Sequence, residues 1–124
     1  MKINEAIQEI DNLKFNGFTQ DQKVGWLSRL DNMVKTQIID THEGGEGVSF
    51  TGYDKGTNLQ TELLIPSPFD AVYLRWLEAQ IDYSNGEIDK YNISITMFNT
   101  EFEAFEAWYH RNHMPRSHGG RFIF

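Results

Sequence analysis

Between Pro68 and Tyr109 apolar residues recur at helical spacing with no internal proline, and this stretch frames the rest of the chain. In its second half Ile88, Tyr91, Ile95, Phe98, Phe102, Phe105 and Tyr109 step by three and four, which stacks them along one side of a helix. The first half carries two stripes: Phe69, Val72, Trp76, Ala79 and Tyr83 lie beside Tyr73, Leu77 and Ile81, a face too wide for a single neighbour. Ser84-Asn85-Gly86 separates the halves, where glycine or asparagine takes the left-handed conformation that ends a helix. The pattern predicts an aromatic helical hairpin, with helices at about 68–84 and 87–112. One unbroken helix carrying a costly glycine is the alternative.

Upstream, Ile3, Ala6, Ile7, Ile10 and Leu13 form one stripe, with Glu5, Glu9 and Asp11 opposite, so a short amphipathic helix spans about 2–14. Asn16-Gly17 stops it. Thr19-Gln20-Asp21-Gln22 then reads as a capping box that opens a second helix over about 20–42, with the stripe Val24, Leu27, Leu30, Val34 and Ile38. Trp26 and Met33 occupy an adjoining ridge, and Gly25 leaves room for a neighbouring helix to approach. Three glycines among residues 44–47 end that helix. Residues 44–61 form a long polar loop, with room for a short β-hairpin where Val48 and Phe50 alternate with Ser49 and Thr51. Glu62-Leu63-Leu64-Ile65 packs back, and Ser67, Pro68 and Asp70 are expected as N-cap, first helical residue and first-turn acid of the third helix. The fold expected is all-α, a four-helix bundle-like domain over residues 1–109 with an extended C-terminal tail over 110–124.

Composition sharpens this picture mainly through charge. All 18 Asp and Glu precede residue 107 against 8 Lys and Arg before residue 110, which makes residues 1–109 −10, whereas 110–124 carry Arg111, Arg116 and Arg121 and no acid. An acidic body repels nucleic-acid phosphates, which argues against gripping DNA and remains compatible with a surface that DNA passes without adhering. Acidic body and basic tail suit docking of one subunit on another. The tail closes on Phe122, Ile123 and Phe124, side chains that gain nothing from exposure and are expected to dock on a partner. Loops of this length often carry contacts, which points to Val48, Phe50, Tyr53, Asp54 and Lys55. The absence of cysteine removes disulfides and thiolate metal sites. The N-terminal run reaches acids within a few positions and no apolar run approaches a membrane span, so a cytoplasmic origin is expected.

Candidate chemistry adds little. His110 and His113, with His118 nearby, have metal-ligand residue types, but helix-end histidines favoured by the dipole are the simpler reading. Glu43 with Glu46, or Asp82 with Glu87 and Asp89, read as solvated charges at turns, and no activated serine turn or phosphate loop is present. No enzymatic activity, cofactor or metal is expected.

Several runs together resemble a known family: the segment from Glu62 to Tyr83, then Asn85-Gly86-Glu87, Lys90-Tyr91-Asn92, Met97-Phe98-Asn99, and finally Tyr109 to Pro115. They are similar to small proteins encoded among the head genes of tailed phages and prophages of Gram-positive bacteria, the head-to-tail connector or adaptor family. The resemblance implies a structural virion protein of the neck, assembled in the host cytoplasm as a homo-oligomeric ring, commonly of twelve copies. Such a ring docks on the portal protein, extends the DNA channel without sequence-specific binding, and offers a platform to the next neck or tail-completion protein. In that family the C-terminal segment reaches onto the portal, which here assigns Arg111, His113, Arg116, Arg121, Phe122, Ile123 and Phe124 to docking. Alternatives from other classes are another neck component such as a stopper, a small helical regulatory module that binds a host protein, and a histidine-metal hydrolase.

Overall fold

A computed structural model describes residues 1–115. Its architecture is all-α. The helices are α1 (Ile3–Leu13), α2 (Gln20–Val34), α3 (Ala71–Ser84) and α4 (Ile88–Asn112), with a π-helical turn at Lys35–Ile39 and a short 3-10 turn at Gly45–Gly47. Contacts fix their directions. Asp11 near the end of α1 meets Lys23 near the start of α2, Trp26 and then Asp31 of α2 meet Trp76 and then Tyr73 of α3, and Tyr83 and then Trp76 of α3 meet Tyr91 and then Phe98 of α4, so each helix runs antiparallel to the next, an up-down-up-down bundle.

The α3–α4 corner forms as the residue pattern predicts. Gly86 sits at φ +73°, the Glu87 N–H donates to the Asp82 carbonyl and the Gly86 N–H to the Tyr83 carbonyl, which satisfies the last carbonyls of α3. Rings then zip the two helices from corner to far end, through Tyr83–Tyr91, Trp76–Phe98 and Phe69–Trp108 at centroid separations of 5.3, 5.2 and 5.3 Å. Phe98, Phe105 and Tyr109 are buried, and against them lie Val72, Tyr73, Leu77 and Ile81 of α3. The stripe that runs along α2 into the π turn is buried throughout, from Val24 to Ile38.

The Thr19 capping box forms, with the hydroxyl accepting from Gln22 N–H at 3.1 Å and the Gln22 side chain accepting from Thr19 N–H at 2.8 Å. α1 starts differently. Its first amides donate to the carbonyls of Thr61 and Leu59, each at 3.0 Å, so the returning loop caps this helix, while the Glu5 carboxylate accepts from the Lys2 N–H at 2.8 Å.

Four expectations need correction. The second helix leaves the α pattern after Val34, and the wider π turn lets the consecutive residues Ile38 and Ile39 both enter the core. The third helix begins after Asp70, because Pro66-Ser67-Pro68-Phe69 forms a turn with a cis Ser67–Pro68 bond and the Phe69 N–H on the Pro66 carbonyl; Ser67 is not its cap. No strand forms at 44–61; among the described residues β pairing is confined to the isolated bridges Lys2–Glu62 and His42–Pro115. Gly25 faces open space, so no helix approaches there.

Candidate functional site

The up-down arrangement gives the bundle two unlike ends. At one end α1 turns into α2 and α3 into α4. Leu13, Phe15, Tyr83, Ile88, Ile93 and Met97, all at this end or in the first half of α4, expose their side chains, Phe15 to 97%. Arg75 lines two neighbouring surface hollows, one of about 130 Å³ with Leu13 and Leu74 and one of about 310 Å³ with Met97 and Thr100, so α1, α3 and α4 contribute to one continuous face. Leu13, Tyr83 and Ile88 were expected in the core stripes; their exposure is a further correction.

The opposite end holds the root of the long loop and the base of the C-terminal segment. The Glu43 N–H donates to the Met114 carbonyl at 2.7 Å, and His42 pairs with Pro115. Two appendages that are far apart in sequence therefore leave the body from one point. Arg111 is exposed in the last turn of α4, where it complements the helix dipole, and His113 stacks on Tyr109 at a centroid separation of 3.9 Å. Arg116, His118, Arg121, Phe122, Ile123 and Phe124 lie outside the described residues.

The loop is strapped to the bundle by a buried acid. Asp31 is fully inaccessible, and no cation pairs with it among the described residues; its Oδ2 accepts from the Tyr53 hydroxyl at 2.6 Å and the Leu64 N–H at 3.1 Å, and its Oδ1 accepts from the Tyr73 hydroxyl at 2.7 Å. The Tyr73 oxygen in turn accepts from the Ile65 N–H at 2.7 Å. Burial pushes the Asp31 carboxyl above its usual range, against the lowering effect of these three donors, and burial beside Asp31 pushes both phenols up. Tyr53 N–H also donates to the Ser28 hydroxyl at 2.9 Å. Tyr53 is thus a buried anchor, which corrects its expected place among the loop's contact residues. Val48 and Phe50 are half-buried against the core, with Phe50 edge-on to Tyr53 at 4.9 Å. Asp54 and Lys55 remain exposed, and the Asp54 carboxylate accepts from Gly56 N–H at 2.8 Å to shape its own turn.

A second buried acid fastens the corner. Asp82 takes the Lys14 ammonium at 2.8 Å and the Ser94 hydroxyl at 2.5 Å, which locks α1 and α4 to the end of α3. Periodicity alone does not announce either acid. Their signal is positional: Asp31 stands four residues after Leu27 and three before Val34, within the apolar stripe, and Asp82 follows the buried Ile81.

The expected histidine spacing does not converge on one point. His110 turns toward His42, with Nδ1 and Nε2 3.4 Å apart, while His113 faces the Tyr109 carbonyl. Among the described residues no group of three His, Asp or Glu comes together as a metal site, and no helix is long and apolar enough to cross a membrane. No family model, curated protein or solved structure matches the chain.

Proposed function

We propose that this chain is a non-enzymatic ring subunit of a tailed-phage neck, an adaptor that docks on the portal and presents a platform for the next neck or tail protein. The observation that carries the reading is the polarity of the bundle: loop root and tail base are tied together at one end, and the exposed large apolar side chains, Met114 at the tail base apart, gather toward the other. A rigid beam with unlike ends is what a subunit between two different neighbours requires, and a solitary domain has nothing to gain from Phe15, Tyr83 and Ile88 in water. Copies associate side by side through the face of Leu13, Ile93 and Met97. The C-terminal segment engages the portal, its basic and apolar residues offsetting the entropy of ordering. The acidic body lines a channel through which DNA slides without being held.

The deciding experiment mixes the purified chain with portal rings from the same virus and reads complexes by negative-stain microscopy and light scattering. A ring of copies seated on the portal supports the assignment, as does its loss when residues 110–124 are deleted from a chain that keeps its helical circular dichroism. A chain that stays monomeric beside portal rings overturns it.

A further inference from the structure

We infer that Asn16, at the corner between α1 and α2, is a site of self-modification: its side-chain amide is lost as ammonia after attack by the Gly17 backbone nitrogen, leaving aspartate or isoaspartate. The chain holds two Asn-Gly pairs, Asn16-Gly17 and Asn85-Gly86, which look alike in the sequence. An asparagine followed by glycine is open to this reaction because glycine has no β-carbon to hinder closure of the five-membered imide. The fold separates the two pairs. At Asn85 the backbone is helical, φ −84° and ψ −3°, and the Gly86 N–H is committed to the Tyr83 carbonyl at 3.0 Å, so its nitrogen cannot turn onto the side chain without undoing the end of α3. Gly17 lies exposed between two helices, and its N–H donates to no group among the described residues.

The surroundings of the Asn16 side chain favour the attack. Its Oδ1 accepts from the Phe18 N–H at 3.2 Å, an Asx turn that curls the side chain back along the Gly17 peptide. That N–H faces the oxygen on which negative charge gathers as the Gly17 nitrogen adds to Cγ. The departing nitrogen, Nδ2, donates to the Asp11 carboxylate at 3.1 Å, and the same carboxylate oxygen holds the Lys23 ammonium at 2.6 Å, so a proton source stands beside the leaving group. In the step itself the bond from the Gly17 nitrogen to Cγ forms, the Gly17 amide proton passes to water, the Cγ–Nδ2 bond breaks, and Nδ2 takes up one proton and leaves as ammonia. Water then opens the imide at either carbonyl. The product sets a second carboxylate near Asp11 and removes the N–H that Nδ2 gives to the Lys14 carbonyl at 2.9 Å, at the end of α1. New negative charge therefore enters the end of the bundle where Leu13 and Phe15 are exposed. The inference stands on the geometry of this corner and does not depend on the neck assignment.

The test incubates the folded full chain in mildly alkaline buffer, where the amide proton is lost more readily, and follows both Asn-Gly peptides by mass spectrometry with fragmentation that separates aspartate from isoaspartate. The expected result is conversion of Asn16 well ahead of Asn85 in the folded chain, and comparable conversion of the two when the chain is unfolded in urea. At Gly17 an added β-carbon meets open space and the backbone is not left-handed, so Gly17→Ala keeps the fold by circular dichroism and slows the Asn16 reaction several-fold. Three outcomes overturn the assignment: Asn85 converting as fast as Asn16 in the folded chain, a ratio of the two rates that unfolding leaves unchanged, or an Asn16 rate that Gly17→Ala does not alter.

Discussion

The Tyr53 hydroxyl donates to the Asp31 carboxylate across 2.6 Å inside the protein, so a loop residue and a helix residue share one buried polar centre. Truncating the donor as Tyr53→Phe keeps the ring and its contact with Phe50 but leaves the carboxylate one donor short. A hydrogen bond to a charged group contributes about 1.5–3 kcal/mol, and the loss is expected in that range by urea unfolding. Amide exchange should accelerate first over residues 48–65 and leave the α3–α4 hairpin protected, because the hairpin's ring contacts are untouched.

Burial raises the Asp31 pKa above its ordinary value of 3.8. The folded chain therefore retains a proton at pH values where the unfolded chain has released it. The stabilising contribution of this group is full at low pH and is lost as pH rises through the raised folded value. In the near-isosteric Asp31→Asn the titration is absent. The stability of the parent minus that of the variant is expected to fall with rising pH from about 4 and then to level off. A difference that stays flat across this window, measured by denaturant unfolding at several pH values, would show that burial does not dominate.

Much of the bundle is legible in the residue pattern because helix spacing, the Thr19 box and the Gly86 corner are local devices whose effect does not wait for tertiary structure. The buried acids are not, since their cost is met only by distant donors: Asp31 by Tyr53, Tyr73 and Leu64, Asp82 by Lys14 and Ser94. The start of α1 is hidden for the same reason, as its cap is supplied by residues 59–61. Exposed Leu13, Tyr83 and Ile88 illustrate the opposite limit. An apolar stripe says that a face must be covered and leaves open whether by the chain itself or by a neighbour.

Two glycines that look alike in the sequence should respond oppositely to alanine. At Gly25 a methyl group meets open space within α2, so Gly25→Ala is expected to stabilise by about 0.8–1 kcal/mol through helix propensity alone. At Gly45 the methyl would run into the Ile39 backbone carbonyl, which cannot swing aside, and Gly45→Ala is expected to cost about 1–3 kcal/mol. Thermal midpoints of the two variants, moving in opposite directions from the parent, check both.

The exposed face on α4 separates stability from assembly. Ile93 and Met97 make little of the core, so Ile93→Lys and Met97→Lys should each leave unfolding free energy within about 0.5 kcal/mol of the parent. Phe105→Ala, on the buried side of the same helix, should cost about 3–5 kcal/mol. If copies meet side by side through the outer face, the two lysine variants lose ring formation on portal while keeping their melting profile, because an ammonium is well solvated in water and costly to desolvate in an apolar contact. Rings that form normally with both lysines present would mean that the copies join through a different surface, even if the chain does sit on the portal.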